Sequence, residues 1–349
     1  MKKLSIINKF LFLLNSISLL LLVLSYLSKF INPNIFWPIS FIGLLFPVLY
    51  LINILFLIYW LIGLKRQVWP NIIILTFGIN SVSSFIGLNS KEVQEDKSNL
   101  KILSYNVRLF NRYNWLDIDN VDNKISNFID KESADIVCIQ EFFIKDTIPS
   151  LDYKYYHIGI QDKKNKSHMA IYSKYNQINK KTVTIKGQKM NNICIFSDIV
   201  VNEDTIRVYN LHLASNWFNS SDYSFINSPK KSELKESLLG ISERMRVSFK
   251  KRANEALVIR KHIDTSPYPV ILCGDFNDTP MSYSYNMIKG ELSDAFSISG
   301  KGTGNSFVKI PTLRIDYIMH NKNLNSINFQ THNLILSDHY AISCEITNL

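Results

Sequence analysis

The first 90 residues of this 349-residue chain contain no aspartate or glutamate. Six of the 39 lysines and arginines lie there, so the remaining 33 stand against all 29 acidic residues and leave residues 91–349 with a net charge of only +4. A basic surface for nucleic acid would place its excess charge on the soluble part of the chain. The overall charge of +10 is therefore weak evidence for a nucleic-acid partner.

Cysteine is also scarce, and no two cysteines have the CxxC spacing typical of zinc or dithiol redox sites. The four are Cys138, Cys194, Cys273 and Cys344. Each lies in an apolar run, and free cysteine is among the residue types most often buried. We predict four small core side chains rather than a structural disulfide.

Charge is absent from two long apolar runs near the N-terminus. Phe10 to Leu27 and Phe41 to Leu64 are near or above the roughly 18–20 residues that a helix needs to cross a bilayer. A third run, Asn71 to Leu88, is interrupted by polar residues. A signal peptide is disfavoured because no small-residue cleavage site follows the first run. We predict an anchor over residues 1–90 with two or three transmembrane helices, at about 10–28, 41–64 and 71–88.

The basic residues of this segment predict its orientation, because cytoplasmic flanks retain positive charge. Lys2, Lys3 and Lys9 precede the first run, and Lys65 with Arg66 follow the second. With three spans the rest of the chain emerges outside the cytoplasm, and with two it stays inside. We favour three, because Trp69 stands where an interfacial anchor would.

Residues 91–98 (KEVQEDKS) are polar and charged, which predicts a linker to a soluble domain over 99–349. Short apolar runs there alternate with polar, helix-like stretches, as in an α/β domain with buried sheets. The predicted strands are 100–107, 136–139, 169–173, 193–201, 205–213, 270–273, 315–319 and 341–346. The predicted helices are 120–132, 232–264 and 282–289.

Reactive polar side chains fall at the ends of these predicted strands. They are Asn106, Glu141, His212, Asp275, Asn277, Asp316 and His339. Each alone has an ordinary explanation, such as a turn for Asn106 or a hydrogen-bonded core position for His212. Side chains at strand ends can converge on one edge of a sheet. Packing of the apolar core does not require polar residues at these positions. Their joint occurrence therefore favours a functional site.

Six motifs around these residues carry a resemblance to a known family. They are SYNV at Asn106, IQE at Glu141, NLHL at His212, GDFN from Gly274, RIDYI at Asp316 and SDH from Ser337. In this order, over about 250 residues, the domain resembles the endonuclease/exonuclease/phosphatase superfamily of deoxyribonuclease I-like phosphoesterases. GDFN with a downstream SDH is the most specific pair.

The resemblance implies a four-layer α/β sandwich, with two mainly antiparallel sheets packed face to face and helices outside. It also implies hydrolysis of a phosphodiester or phosphomonoester bond with Mg²⁺ or Mn²⁺ as cofactor. Hard oxygen ligands suit these ions, and the family pattern assigns Glu141 and Asn106 to the metal, with Asp338 as a further ligand or supporting contact.

The remaining roles follow from the same resemblance. His339 is the expected general base for the attacking water, since imidazole titrates near neutral pH, and Asp316 would fix its tautomer. Asp275 and Asn277 would orient water and phosphate, and His212 would donate to a phosphate oxygen.

Two regions depart from the family pattern. His168 lies where many relatives have a glycine-containing strand, and we interpret it as a surface or edge histidine outside the site. Asn216 to Arg252 forms a long insertion whose basic end is a solvated helix face by default, although it could recognise substrate or lie along a membrane. Within it, Arg252 is the residue predicted to contact phosphate, because a guanidinium pairs with phosphate in a bidentate way.

Three functions stay open at this point. The first is a membrane-anchored phosphoesterase acting on a lipid headgroup or another phosphate ester. The second is a tethered nuclease, supported by the basic residues near Lys230, Lys250 and Arg252 but weakened by the low domain charge and by the lack of an aromatic-basic tract. The third is an inactive binding protein. We expect a bacterial-type integral protein of the inner membrane, with the lipid bilayer as a partner, the catalytic domain outside the cytoplasm and no identifiable protein partner.

Overall fold

The computed structural model describes residues 5–89, 99–144, 151–162, 167–184, 193–216, 222, 225, 228, 234–310 and 312–348. The predicted linker at 91–98 lies outside these residues. The chain divides into two compact units. The first contains residues 1–85, 216–253 and 280–287, and the second contains residues 86–215, 254–279 and 288–349.

The first unit begins with a series of apolar helices. They are α1 Ile6–Leu27, α2 Pro33–Phe36, α3 Pro38–Leu44, α4 Phe46–Ile62 and α5 Val68–Val82. The run expected to form one helix over 41–64 is instead the pair α3 and α4, which meet at 60°. Pro47 has no amide hydrogen to bond to Gly43, four residues earlier, so one continuous helix is interrupted there.

Within the described residues, α1 is long and apolar enough to cross a membrane, and the bent α3–α4 pair passes the same criterion if it counts as one span. The helix α5 has 15 residues and ends at Val82, earlier than the predicted boundary at 88. Length and composition of one or two helices are weak evidence for a membrane.

Three asparagines join these helices in the interior of the unit. Asn15 of α1 and Asn71 of α5 exchange two side-chain hydrogen bonds, of 3.0 and 2.9 Å. Asn53 Nδ2 of α4 donates to Ser18 Oγ at 2.9 Å, and Trp60 Nε1 donates to Asn15 Oδ1 at 2.8 Å. Buried amides require hydrogen-bond partners, and polar side chains bind apolar helices to one another. The network therefore ties α1, α4 and α5 together.

Two segments from much later in the sequence belong to the same unit. The long helix α7 (Leu234–Asp264) contributes Phe249, whose ring packs edge-on against Phe41 at a centroid distance of 5.2 Å. Met281, just before α8 (Tyr283–Lys289), lies in an apolar cluster. The other buried members of that cluster are Leu22, Phe46, Leu49 and Leu75.

The second unit is built on two six-stranded sheets. The first sheet has the order β10-β12-β9-β8-β7-β6 and the second has the order β13-β14-β2-β3-β5-β4. The strands are β1 Gly87–Leu88, β2 Leu100–Asn106, β3 Ile136–Phe143, β4 Tyr155–Asp162, β5 Ser167–Ser173, β6 Asn176–Val183, β7 Cys194–Val201, β8 Asp204–His212, β9 Val270–Asp275, β10 Ser293–Asp294, β11 Lys301–Gly302, β12 Asp316–His320, β13 Asn325–His332 and β14 Ala341–Thr347. The central pairs β2/β3 and β8/β9 are parallel. All other neighbours within these sheets are antiparallel.

The inner faces of the two sheets share one apolar core, which includes Ile102 and Ile171 from the second sheet and Val208 and Ile271 from the first. The helix α6 (Val121–Glu132) packs on the outer face of the second sheet. On the first sheet, the ring of Tyr209 packs against His262 of α7. The predicted α/β fold, with two sheets flanked by helices, is therefore confirmed. All four cysteines are buried with free thiols, as predicted.

The strands that sequence patterns did not predict lie at the edges of the sheets. β4, β6 and β13 are edge strands, and their sequences, such as NQINKKTV and NSINFQTH, are largely polar. An edge strand exposes one side to solvent and does not need the apolar run of an inner strand. The short helix α9 (Ala295–Ser299) was likewise not predicted.

Candidate active site

The two parallel strand pairs bring polar side chains to one edge of the sandwich. Asn106 ends β2, and His212 and Asp275 are paired residues at the ends of β8 and β9. Asn106 Nδ2 donates to Asp275 Oδ2 at 3.0 Å, which connects one sheet to the other. Parallel strands end at the same edge, so the predicted convergence of these residues follows from the topology.

Glu141 reaches the same edge through an irregularity in β3. The pairing of β3 with β5 shifts register between Ile139 and Phe142, and Glu141 has a φ of +50°. Its carboxylate lies 3.4 Å from Asn106 Nδ2 and 3.7 Å from His212 Nε2, with the side chain 28% exposed. A bulge re-aims a side chain in this way. Burial raises the pKa of Glu141, as does the charge of the nearby Asp338.

The GDFN turn fixes the next two residues. Asp275 Oδ1 accepts a hydrogen bond from Asn277 N at 2.7 Å, and Asn277 Nδ2 donates to Leu213 O at 3.0 Å. Gly274 has a φ of +147°, and a Cβ atom there would lie 2.0 Å from Leu211 O in the backbone of β8. The turn therefore requires glycine at 274 to keep Asp275 beside His212.

We expect Gly274→Ala to lower the free energy of unfolding by about 2–4 kcal/mol, because the side chain meets rigid backbone and the φ disfavours L residues. Urea unfolding of the purified chain measures this. Gly302→Ala is the matched control, since Gly302 also has a positive φ (+73°) but would meet nothing within 4 Å. Equal losses in the two variants would show that the contact with β8 is unimportant.

His339 and Asp316 form the closest ion pair of the site. His339 Nδ1 lies 2.8 Å from Asp316 Oδ2, and His339 Nε2 lies 3.7 Å from Asp275 Oδ2. Ser306 Oγ accepts from Asp316 N at 3.0 Å and holds the start of β12 in place. Burial lowers the pKa of His339, but Asp316 and Asp275 outweigh burial and raise that pKa to about 10. Asp316 thereby directs the second imidazole nitrogen toward Asp275.

Asp275 lies at the centre of the arrangement. Burial raises the pKa of Asp275 to about 6, and the neighbouring His339 and His212 oppose that rise. Within the part of the chain that the structure describes, Asp275, Asp316 and His339 form a buried group that could hold a metal ion, with ligand atoms all within 4.8 Å of one another. His212 Nε2 lies 3.6 Å from Asp275 Oδ2.

An arginine that the sequence reasoning missed lies beside Asp338. Arg108 Nε is 3.1 Å from Asp338 Oδ2, and the Arg108 guanidinium stacks 4.2 Å above the ring of Trp115. Residues 108–111 all have positive φ values. The only sequence signal was the position of Arg108 directly after the SYNV motif.

The other residues considered from sequence have different surroundings. Arg252 is completely buried in the first unit, where it donates to Asn216 Oδ1 at 3.0 Å and lies over the ring of Phe249. A phosphate contact by Arg252 stays a prediction. The interpretation of His168 as a surface or edge residue is wrong, because it is buried on β5, an inner strand. Lys230 lies outside the described residues.

Comparison with known proteins gives two family matches. A model described as Endonuclease/Exonuclease/phosphatase family matches residues 103–339, and a domain of unknown function matches residues 8–85. No curated protein matches the chain by sequence.

Several solved structures share the fold of the second unit. D. rerio TDP2 with a single strand DNA product has 15% identity and a TM-score of 0.51, over 72% of this chain and all of that one. Caenorhabditis elegans TDP2 has 16% sequence identity and a TM-score of 0.51, and the match covers 71% of this chain and 74% of that one. The human Nocturnin catalytic domain with bound sulfate has 16% sequence identity and a TM-score of 0.51, and the match covers 75% of this chain and 96% of that one. At such identities the likeness concerns the fold alone.

Proposed function

This chain belongs to the endonuclease/exonuclease/phosphatase family, and we propose that it hydrolyses a phosphate ester with the help of a divalent metal ion, Mg²⁺ or Mn²⁺. The observation that carries the proposal is the buried Asp316–His339 pair, whose outer nitrogen lies 3.7 Å from Asp275 Oδ2. An imidazole oriented by a carboxylate can accept a proton from water.

Glu141 is the residue best suited to hold the metal ion, with Asn106 and Asp338 in support. Its carboxylate is partly exposed and offers the hard oxygen ligand that Mg²⁺ and Mn²⁺ prefer. A bound ion would neutralise charge on the phosphate oxygens. We assign the neighbouring trio of Asp275, Asp316 and His339 to proton transfer, because the Asp316–His339 hydrogen bond already occupies two of its ligand atoms.

Each of the remaining site residues then has a separate role in the proposed reaction. His339 Nε2 takes a proton from the attacking water, and Asp316 stabilises the resulting imidazolium. Asp275 and Asn277, held together in the GDFN turn, orient the water and the phosphate. His212 donates to a phosphate oxygen and so stabilises the charge that develops there.

Metal binding is expected to release protons. The pKa of His339, raised to about 10 by Asp316 and Asp275, keeps a proton on its imidazole near pH 7, whereas Asp275, with a pKa of about 6, is mostly deprotonated there. A nearby divalent cation disfavours the protonated imidazole and lowers its pKa, so we expect up to about one proton to leave on binding near pH 7. Titration calorimetry with Mg²⁺ in two buffers of different ionisation enthalpy measures this number.

Asp316→Asn is the informative comparison for this experiment. It removes a carboxylate that raises the pKa of His339, so less proton release is expected. Binding heats that do not depend on the buffer in the unmodified chain would contradict the assignment.

A substrate panel on the full chain in detergent tests the proposed function. Nucleic acid, phospholipid and inositol phosphate are each incubated with Mg²⁺ and with chelator. Chelator-sensitive release of product from at least one class is the expected result. No hydrolysis of any class would favour an inactive binding protein instead.

A nuclease is the second candidate, and one observation favours it. The segment after Asn106 places Arg108 over Trp115 and Arg112 over Phe143, at 4.2 and 4.0 Å, with Trp115 exposed. The aromatic-basic tract that seemed absent from the sequence is therefore present in RLFNRYNW. Stacking on such rings is one way of binding single strands. A steep fall in cleavage of a single-stranded oligonucleotide with rising salt would support this candidate.

We further propose that the N-terminal helices anchor the chain in a bilayer, with three spans and the catalytic domain outside the cytoplasm. Exposed apolar side chains on α1, α4 and α5 support contact with lipid. The paired bonds between Asn15 and Asn71 support the inclusion of α5. A topology reporter joined to the C-terminus of the full chain tests the side, and a cytoplasmic signal would favour two spans.

A further inference from the structure

The proposed general base and its carboxylate partner come from different sheets of the second unit. Asp316 begins β12, which pairs with β9 and β10 in the first sheet. His339 lies two residues before β14, which pairs with β13 and β2 in the second sheet. The hydrogen bonds within the two sheets therefore do not by themselves set the 2.8 Å distance between His339 Nδ1 and Asp316 Oδ2.

Ser306, in the loop between β11 and β12, binds the main chain beside both partners. It is completely buried, and its Oγ accepts hydrogen bonds from Ile315 N and Asp316 N, both at 3.0 Å. Its carbonyl oxygen accepts a hydrogen bond at 2.8 Å from the amide of Tyr340, the residue after His339. A single residue thus connects the start of β12 with the segment that carries the base.

The next two residues extend this attachment. Phe307 forms an antiparallel bridge with His339, and the two rings pack edge-on at a centroid distance of 5.2 Å. Val308 N donates to Asp338 O at 2.8 Å. The 306–308 segment is therefore bound to the residues on either side of His339, and the Phe307 ring packs against the imidazole itself.

The Ser306 hydroxyl is the acceptor for two backbone amides at the start of β12. A buried N–H group without a partner is costly, so loss of this acceptor would make Ile315 and Asp316 shift toward another acceptor or toward water. Such a shift moves the Asp316 carboxylate relative to the imidazole that it orients. The geometry of the pair therefore depends on a side chain that touches neither ring nor carboxylate in the contacts described.

We propose that the 306–308 segment aligns the Asp316–His339 pair for catalysis, with Ser306 and Phe307 as positioning residues. The inference rests on the proposed hydrolysis, in which His339 accepts a proton from water. A displacement of about 1 Å in reacting groups can cost on the order of 10²-fold in rate. The alignment of the base then depends on a loop that none of the six sequence motifs includes.

The kinetic experiment uses the full chain in detergent micelles and a small soluble ester, bis(p-nitrophenyl) phosphate, with Mg²⁺. We expect Ser306→Ala to lower kcat roughly 10-fold and Phe307→Leu to lower it about 3-fold, with KM little changed. The unfolding midpoint and the folded fraction of each variant are measured in parallel.

Proton NMR of the same chain without added Mg²⁺ gives a readout that does not depend on turnover. The proton on His339 Nδ1, in a charge-assisted hydrogen bond to Asp316, should resonate far downfield, and its loss in His339→Asn identifies the signal. In Ser306→Ala and Phe307→Leu we expect the signal to move upfield and to exchange faster with water. A general loss of stability would not move this signal in the folded molecules.

Two buried serines of the same unit provide matched controls. Ser197 is also completely buried, and its Oγ lies 3.1 Å from His157 Nδ1, so Ser197→Ala removes a buried hydroxyl contact of another histidine. Ser326 is 1% exposed, and its hydroxyl has no hydrogen-bond partner among the described residues. Both variants should keep kcat within about 2-fold and leave the His339 signal in place, although Ser197→Ala should lower the unfolding midpoint.

The outcomes separate this inference from the proposed function. An inactive unmodified chain contradicts the hydrolysis, and the inference that rests on it. In an active chain, a folded Ser306→Ala variant with unchanged kcat or an unmoved His339 signal overturns the positioning role. An equal loss of kcat in Ser197→Ala also overturns it, because the effect would then be one of stability. If Ser306→Ala does not fold, Phe307→Leu decides, and normal kcat in that variant overturns the inference.

Discussion

The His339→Asn variant is expected to lose turnover by about 10²–10⁴-fold, the usual contribution of a general base. Asparagine can still donate to Asp316, so the buried carboxylate keeps a partner and the fold is retained. What is lost is the second ring nitrogen, which faces Asp275. The measurement is kcat at saturating Mg²⁺, together with the thermal unfolding midpoint.

His320→Asn is the control for this substitution. His320 is also a buried histidine on β12, the strand that begins with Asp316, but its Nδ1 contacts Asn321 O at 2.9 Å. Its replacement should leave kcat within about 3-fold of the unmodified chain. Unchanged turnover in His339→Asn would remove His339 from the mechanism and indicate that another group accepts the proton.

Removal of divalent ions is expected to have an equally large effect, a loss of at least about 10³-fold that excess Mg²⁺ or Mn²⁺ reverses. The carboxylates of Glu141 and Asp275 both lie within 3.4 Å of Asn106 Nδ2, and Asp338 lies close enough to raise the pKa of Glu141, so an anionic phosphate at the proposed site would be repelled by several carboxylates. A divalent cation would stabilise the charge of the transition state by several kcal/mol, and each 1.36 kcal/mol corresponds to a tenfold change in rate. Turnover is measured after chelation and again after each ion is added back.

Glu141→Gln tests where in the site the proposed metal ion binds. It keeps the shape of the side chain but removes the charge, so the Mg²⁺ concentration for half-maximal activity should rise about 10–100-fold. Glu345→Gln on β14 is the control, because Glu345 bonds to Asn99 and Asn328 instead. An unchanged Mg²⁺ requirement in Glu141→Gln would contradict this assignment and indicate that the ion binds to the Asp275, Asp316 and His339 group instead.

The inner strands and the convergence of the candidate site residues could be predicted from the sequence for the same reason. Inner strands such as β2 and β9 are mostly apolar and almost wholly buried, so a polar residue at their end, Asn106 or Asp275, is conspicuous. Parallel pairing then brings such ends to one edge. The edge strand β6 has no comparable pattern, because solvent rather than a core determines most of its side chains.

Other features depend on contacts that no local pattern encodes. Arg108 reaches Asp338 only because four consecutive non-glycine residues adopt positive φ values, a conformation that RLFN does not signal. The burial of Met281 among the N-terminal helices joins segments more than 200 positions apart. By contrast, the break between α3 and α4 was available in principle from Pro47.

The distribution of the site over both sheets has a consequence for when activity can first appear. Asn106 and Glu141 belong to one sheet, whereas His212, Asp275 and Asp316 belong to the other. β14, which follows His339 directly, inserts between β13 and β2. A nascent chain that has not yet produced the residues after Asn333 therefore lacks both β14, an inner strand of the second sheet, and His339, the proposed general base. The proposed Asp316–His339 pair can thus form only after all the strands of both six-stranded sheets except β14 have been synthesised.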